Sequence, residues 1–387
     1  MWLLAATAGP AFAQTAAEEA EVETLTYPRF TGEVLFEIQN DWTYDANQTE
    51  DQNNDLYTTI EPDLSLFLTP EFFFNTHLVF EPVKDISPPG DNRYFGDEGL
   101  FVEALTANYQ TERWGIFAGK FAPNFGICFD AAPGVYGTDV CEDDIEMTER
   151  IGFGGNVNWS LGEFGAQSLS GSTFFQDTSY LSNSIFTERG RVRDEDGGPS
   201  NTESFESFAI ALDGSDVEAM PGFRYQVAFA MQDVDKIAED SRAFLPENEG
   251  IFDPDLAEEI GDPNDTNNEY RMAIAGEWPI DVLEDFTITP LFEYDRFWNA
   301  QGIPEQNRDY FTAALSFEID NWNMALASTT RLIHNSEGED YQDYLFQVSA
   351  GYRFDFGLGI DVGWARVDEE NDSKNVLGAL LSYNYEF

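Results

Sequence analysis

The sequence predicts an all-β fold: a closed antiparallel transmembrane β-barrel of about 16 strands, with short periplasmic turns and long extracellular loops. Three observations carry that expectation. Apolar and polar residues alternate through segment after segment of about ten residues, the period of a strand with one face in lipid and one in water. Short and long connections take turns along the chain. No apolar run reaches the roughly 18 residues of a spanning helix.

The alternation is cleanest in "LGALLSYNYEF" at 377–387. Leu377, Ala379, Leu381, Tyr383, Tyr385 and Phe387 share one parity, against Gly378, Leu380, Ser382, Asn384 and Glu386 on the other. Equivalent stripes run through Ile60, Pro62, Leu64, Leu66 and Leu68, through Phe223, Tyr225, Val227 and Phe229, and through Tyr344, Phe346, Val348, Ala350 and Tyr352. Segments of this kind fall at 31–41, 57–68, 72–83, 100–110, 114–122, 150–160, 166–176, 205–213, 222–232, 270–279, 286–296, 309–318, 321–332, 342–355, 358–366 and 376–387. Their even number suits a single-chain barrel.

Short connections ("TPE", "TER", "LGEFG", "GSDVEAMP", "DVLED", "DN", "FG") alternate with long ones at 42–56, 84–99, 123–149, 177–204, 233–269, 297–308, 333–341 and 367–375. All the long loops therefore gather on one rim, an asymmetry that a soluble sandwich has no reason to show. The final strand is expected to pair with the first and leave no edge.

The chain has 387 residues and a formal net charge of -54. Such a charge argues against nucleic acid as a partner and favours cations. At the N-terminus "MWLLAATAGPAFAQ" reads as residues 1–13 of a signal peptide that lacks its basic start, with Ala11-Phe12-Ala13 as the cleavage site. Residues 14–29 read as a short acidic periplasmic segment and 30–387 as the barrel.

"GIFAGKFAPNFG" at 115–126, together with the C-terminal pattern, resembles the Gram-negative outer-membrane porin superfamily, close to the general porins and the phosphate-selective porin O and P group. The resemblance implies a homotrimer of passive channels for small hydrophilic solutes and ions, embedded in outer-membrane lipid. Tyr383, Tyr385 and Phe387 resemble the signal by which barrel assembly machinery recognises such chains.

A barrel of this size is too wide for side chains to fill and leaves an aqueous channel. Porins fold the loop at 123–149 inward as a constriction. Here it carries Asp130, Asp139, Glu142, Asp143 and Asp144, with Cys128 and Cys141 expected to form a disulfide in an exported protein. Metal binding by two thiols with no histidine nearby is a poor alternative.

The polar parity of the strands offers Glu33, Glu37, Glu61, Glu81, Glu103, Lys120, Arg224, Arg271, Arg331 and Arg353 as pore wall. Glu61 is expected beside Glu81, and Glu103 beside Lys120, each pair equidistant from its turn. An acidic early wall would then face a partly basic later one, giving a channel with a mild cation preference. A phosphate-type anion channel is the alternative, but it wants a ladder of basic residues, and the chain has only 19 Lys and Arg.

An outer-membrane hydrolase would need a base. His77 and His334 are the only histidines, and neither His77 near Glu81 nor His334 near Ser336 and Asp340 carries a nucleophile motif. The expectation is no enzyme, no catalytic residues and no cofactor. Calcium on the acidic loops around Asp45, Asn47, Thr49, Asp51, Asn53 and Asp55, or around Asp262, Asp265 and Glu269, is a weaker expectation.

Overall fold

The computed structural model describes residues 26–238, 266–335, 340–369 and 372–387. Sixteen long strands form one antiparallel sheet: β1 (Arg29–Ala46), β2 (Asn54–Phe67), β3 (Phe72–Pro82), β4 (Glu98–Gln110), β5 (Trp114–Phe121), β6 (Arg150–Ser160), β7 (Ala166–Gln176), β8 (Ser207–Ser215), β9 (Arg224–Gln232), β10 (Glu269–Glu277), β11 (Phe286–Trp298), β12 (Asn307–Ile319), β13 (Trp322–His334), β14 (Tyr341–Arg353), β15 (Leu358–Glu369) and β16 (Asp372–Glu386). Ile280–Leu283 continues β10 along β11. Two-residue strands at Arg93–Tyr94 and Ile185–Phe186 are contributed by loops.

Each strand pairs with its neighbours in sequence, and β16 pairs with β1 from Glu33↔Glu386 to Ala46↔Lys374, so the sheet closes on itself. Backbone bonds between Gly32 and Phe387, in both directions, finish the seam. Closure satisfies every ladder internally, which a bilayer demands. No described helix is long and apolar enough to cross a membrane.

The alternation sorts the side chains as a membrane barrel requires. Leu326 and Val348, paired across β13 and β14, stand outside with Leu381 of β16, while Gln347, Ser349 and Ser382 point inward. Aromatic side chains collect outside at the short-turn rim: Phe30 packs on Phe387, Tyr109 on Trp114 and Trp322 on Tyr352. Tyr383, Tyr385 and Phe387 belong to that same exposed girdle.

All sixteen segments are strands, with boundaries differing by a few residues. The largest differences lie on the long-loop rim. β15 and β16 keep pairing to Glu369↔Asp372, so the connection expected at 367–375 is mostly a paired ribbon. β1 likewise runs on to Ala46, paired with Lys374. Polar residues there alternate without an apolar stripe, so the pattern that marks a strand inside the bilayer is missing while the ladder continues.

Candidate functional site

The connection from β5 to β6 folds into the barrel. Its first turn, Cys128–Ala131, sits over β11, where the backbone N–H groups of Ile127 and Cys128 donate to Oε2 of Glu293 at 2.8 and 2.9 Å. Gly126 makes that approach with φ +78; a Cβ there would lie 2.6 Å from Oε1 of Glu293. Only glycine meets both conditions without strain.

Farther along, the Tyr136 hydroxyl donates to Asp41 at 2.6 Å and Nε2 of Gln347 donates to the Pro133 carbonyl at 2.7 Å. Arg271 donates to the Ile145 carbonyl at 3.0 Å, and Arg331 to Asp144 at 2.7 Å. Thus β1, β10, β11, β13 and β14 all hold the loop. Cys128 and Cys141 are joined by a disulfide, Cα atoms 5.8 Å apart, and are fully buried with Phe125, Ile145 and Met147 of the same loop against the barrel wall.

The loop divides the lumen into two chambers of about 1040 and 1370 Å³. The chamber toward the short turns is lined by fifteen carboxylates and two arginines, Arg189 and Arg353. Among those carboxylates are Glu33, Glu37, Glu61, Glu81, Glu103, Asp130, Glu142 and Asp143. The chamber toward the long loops includes Asp139, Asp143, Asp144 and Arg331. Three residues line both chambers: Glu81, Asp143 and Arg189. They mark the junction, where the two chambers adjoin.

Burial and neighbouring carboxylates raise the acids of the loop. Asp139 is pushed up to about 8 by burial and then by Glu142 and Asp41, and Glu142 to about 7 by burial, with Glu61 and Asp143 adding to it. Glu146 rises to about 9, again through burial and then Glu103 and Glu142. Desolvation and like charge both disfavour the anion.

Several expected wall positions are corrected by the register. Glu61 and Glu81 do not face each other: Ile60 pairs with Phe80 and Asp63 with His77, so the hairpin centres one residue earlier than the spacing implied and the two glutamates are diagonal neighbours. Lys120 pairs with Leu105 rather than Glu103. A bulge in β4 opposite His77 and Leu78 adds a residue there and shifts the faces.

Lys120 is also not free wall. It is buried, 2.8 Å from both Glu149 and Asp177. Arg224 ion-pairs with Glu277, and Arg271 is buried against Glu269 and the ring of Phe297. Neither arginine lines a chamber. Arg331 does, but it is shared among Asp144, Asp343 and Glu369. The basic later wall expected from sequence is therefore spent largely on holding the loop and its neighbours.

What sequence reasoning missed is Arg189. The β4–β5 ladder covers only Leu105↔Lys120 to Gln110↔Gly115; beyond it, Gly99 and Leu100 pair with Phe186 and Ile185 of the loop after β7. Gly119 at φ +143 turns β5 away, its virtual Cβ 2.1 Å from the Leu105 carbonyl. The loop thus fills a gap in the wall, and three residues past Phe186 it delivers Arg189 to the junction. No periodicity marks such a residue. The one available signal was "TERGRVR", a basic cluster in an acidic chain.

His334 places Nδ1 3.1 Å from Asp340 and Nε2 3.3 Å from Asp309, so both ring nitrogens face carboxylates. Ser336 lies outside the described residues. His77 sits 3.8 Å from Asp63. Among the described residues no three His, Cys, Asp or Glu side chains converge as a metal site needs. Of the acidic loop positions considered for calcium, Asp262 and Asp265 lie outside the described residues, as does the segment 1–25.

No protein-family model matches this sequence, and no curated protein does. Solved structures do match in fold. A loop-deletion variant of OmpT, an outer membrane protein of Vibrio cholerae, aligns at TM-score 0.54 with 11% identity, over 92% of this chain and 98% of its own. OpdK of Pseudomonas aeruginosa, in a structure with vanillate, aligns at 0.52 with 8% identity, over 92% and 99%. OccAB3 of Acinetobacter baumannii aligns at 0.51 with 9% identity, over 92% and 99%. The fold is that of these outer-membrane barrels.

Proposed function

We propose that the protein is a porin of a Gram-negative outer membrane, a water-filled channel for passive diffusion of small hydrophilic solutes and ions with a mild preference for cations. The observation that carries this reading is the lining of the inner chamber: fifteen carboxylates against two arginines, on the path to the junction at Glu81, Asp143 and Arg189. Charge of one sign within low-dielectric walls raises the local concentration of counter-ions. Screening over about 8 Å at physiological salt keeps the preference modest in a wide lumen. No catalytic role is assigned, and a homotrimer rests on the resemblance of the sequence to porins.

A substrate-specific anion channel is the second reading. It draws on the vanillate, an aromatic carboxylate, in the OpdK structure and on Arg271, Arg308 and Arg331 carried by β10, β12 and β13 of this chain. Their engagement weighs against it: Arg271 holds Glu269 and the loop backbone, while Arg308 and Arg331 both approach Asp144. Conductance in a planar bilayer under a potassium chloride gradient separates the two by the sign of the zero-current potential. Purified protein that hydrolysed lipid or peptide at a rate abolished by His77→Ala or His334→Ala would instead establish an enzyme.

A further inference from the structure

We infer that Arg150, together with Gln176, binds one small monovalent anion of the halide type at the inner face of the barrel wall, away from the two chambers. The inference stands apart from the channel reading above.

Arg150 opens β6 on its inward parity, which continues through Gly152 and Asn156. It lies directly opposite Phe121 of β5 on one side and Gln176 of β7 on the other. Phe121 is buried, as is Phe174 two residues before Gln176, and their rings meet edge to face at 6.5 Å. Arg150 lines neither chamber.

Among the described residues this guanidinium forms no ion pair. Its contact is Nη2 to Oε1 of Gln232 at 3.5 Å, beyond the usual reach of an N–H donor. Nε is sealed from solvent and has no partner at all. Other arginines on the inner wall are engaged: Arg189 with Glu149, Arg224 with Glu277, Arg271 with Glu269, and Arg331 with three carboxylates. In a chain with 73 Asp and Glu against 19 Lys and Arg, an inward arginine without a carboxylate stands out.

A guanidinium cannot shed its proton, so it cannot escape such surroundings by becoming neutral. It needs a counter-charge. The charges that act on Arg150 are Glu149 and Glu269, which are opposite, and Arg271, which is like. Both acids are already taken. Glu149 holds Lys120 and Arg189, while Glu269 accepts from Arg271, from the side-chain amide of Gln232 and from the Gln301 N–H. With Asp177, the second partner of Lys120, three acids (Glu149, Asp177, Glu269) stand against four cations (Lys120, Arg150, Arg189, Arg271). Four less three leaves one positive charge, and it falls on Arg150.

Gln176 adds a second donor. Its side-chain amide makes no hydrogen bond among the described residues, and side chains directly opposed across a ladder stand about 5 Å apart. One negative charge matches the surplus. A position off both chambers favours a small ion over the carboxylate of a solute.

Two measurements test the site. Crystals of the native chain in sodium bromide should give an anomalous-scattering peak in contact with Arg150 and Gln176. In urea unfolding from detergent, chloride is raised at constant ionic strength with gluconate as the balancing anion. The folded-to-unfolded ratio of the native chain should rise about tenfold once chloride exceeds its dissociation constant about tenfold. Arg150→Gln should lose that dependence, and Gln176→Leu should weaken it. If Arg150→Gln fails to assemble, the bromide peak and the Gln176→Leu comparison carry the test. No bromide at Arg150 in the native chain, or a chloride dependence as steep in Arg150→Gln as in the native chain, would overturn the site.

Discussion

Arg331 of β13 donates to Asp144 of the constriction loop at 2.7 Å, joining residues 187 positions apart across the lumen. The same guanidinium reaches Asp343 at 2.6 Å on the neighbouring strand. This side chain ties the Asp144 end of the loop to the wall, one of several such anchors. Arg331→Met should leave Asp144, Asp343 and Glu369 without their shared cation and loosen that end of the loop. Loss of one partner from such a pair costs about 3 kcal/mol or more. Open-channel current noise should rise clearly above that of the native protein, and denaturant unfolding in detergent should show the loss of stability.

The disulfide predicts a milder effect. Closing a loop of this size stabilises by about 3 kcal/mol in the chain-entropy picture. The loop is also anchored by Glu293, Asp41 and Gln347, so Cys128→Ser with Cys141→Ser should keep the barrel's β-sheet circular dichroism while the current becomes noisier. Noise indistinguishable from native would show that the hydrogen bonds alone position the loop.

Raised acids in the loop predict a dependence on pH. Asp139, Glu142 and Glu146, at about 8, 7 and 9, lose protons progressively between roughly pH 6 and 9. Negative charge beside the junction grows over that window, so the zero-current potential should move further to the cation side as pH rises. Stability changes the other way: acids whose folded pKa is raised favour the native loop most at low pH, and that contribution is lost as pH climbs through the folded values. A zero-current potential flat from pH 6 to 9 would contradict the placement of these groups at the path.

Val348 lies outside near the middle of β14, opposite Leu326. Val348→Arg should cost about 2–4 kcal/mol, the penalty for a cation at the bilayer midplane. Gln347→Asn, on the inward parity one residue away, should fold into vesicles normally. Equal folding yields for the two variants would refute the assignment of faces.

Much of this architecture was legible in the sequence because a membrane barrel writes its two faces and its two rims separately. The stripe Tyr344, Phe346, Val348 and the alternation of "DN" and "FG" with long loops were enough to place every strand. Register was not legible at the same resolution. Glu61 and Glu81 are misplaced by the position of one turn residue, and so are Glu103 and Lys120, whose hairpin centres one residue later than a direct pairing needs; neither shift alters the hydrophobic pattern. The loop carboxylates were legible as a group because Asp139, Glu142, Asp143 and Asp144 crowd a segment without Lys or Arg. Arg189 was not: it reaches the junction only because Gly119 turns β5 aside and Ile185–Phe186 fills the gap, a consequence of tertiary packing with no local signature.

The central claim is that the junction of the two chambers conducts and that its acids govern it. Zero-current potential across a planar bilayer, under a tenfold potassium chloride gradient at neutral pH, tests it most directly. The account predicts discrete conducting steps and a potential on the potassium side, moving toward chloride when Glu142, Asp143 and Asp144 are replaced by Gln, Asn and Asn. A native channel that reverses on the chloride side, or a purified barrel that carries no current, would contradict it.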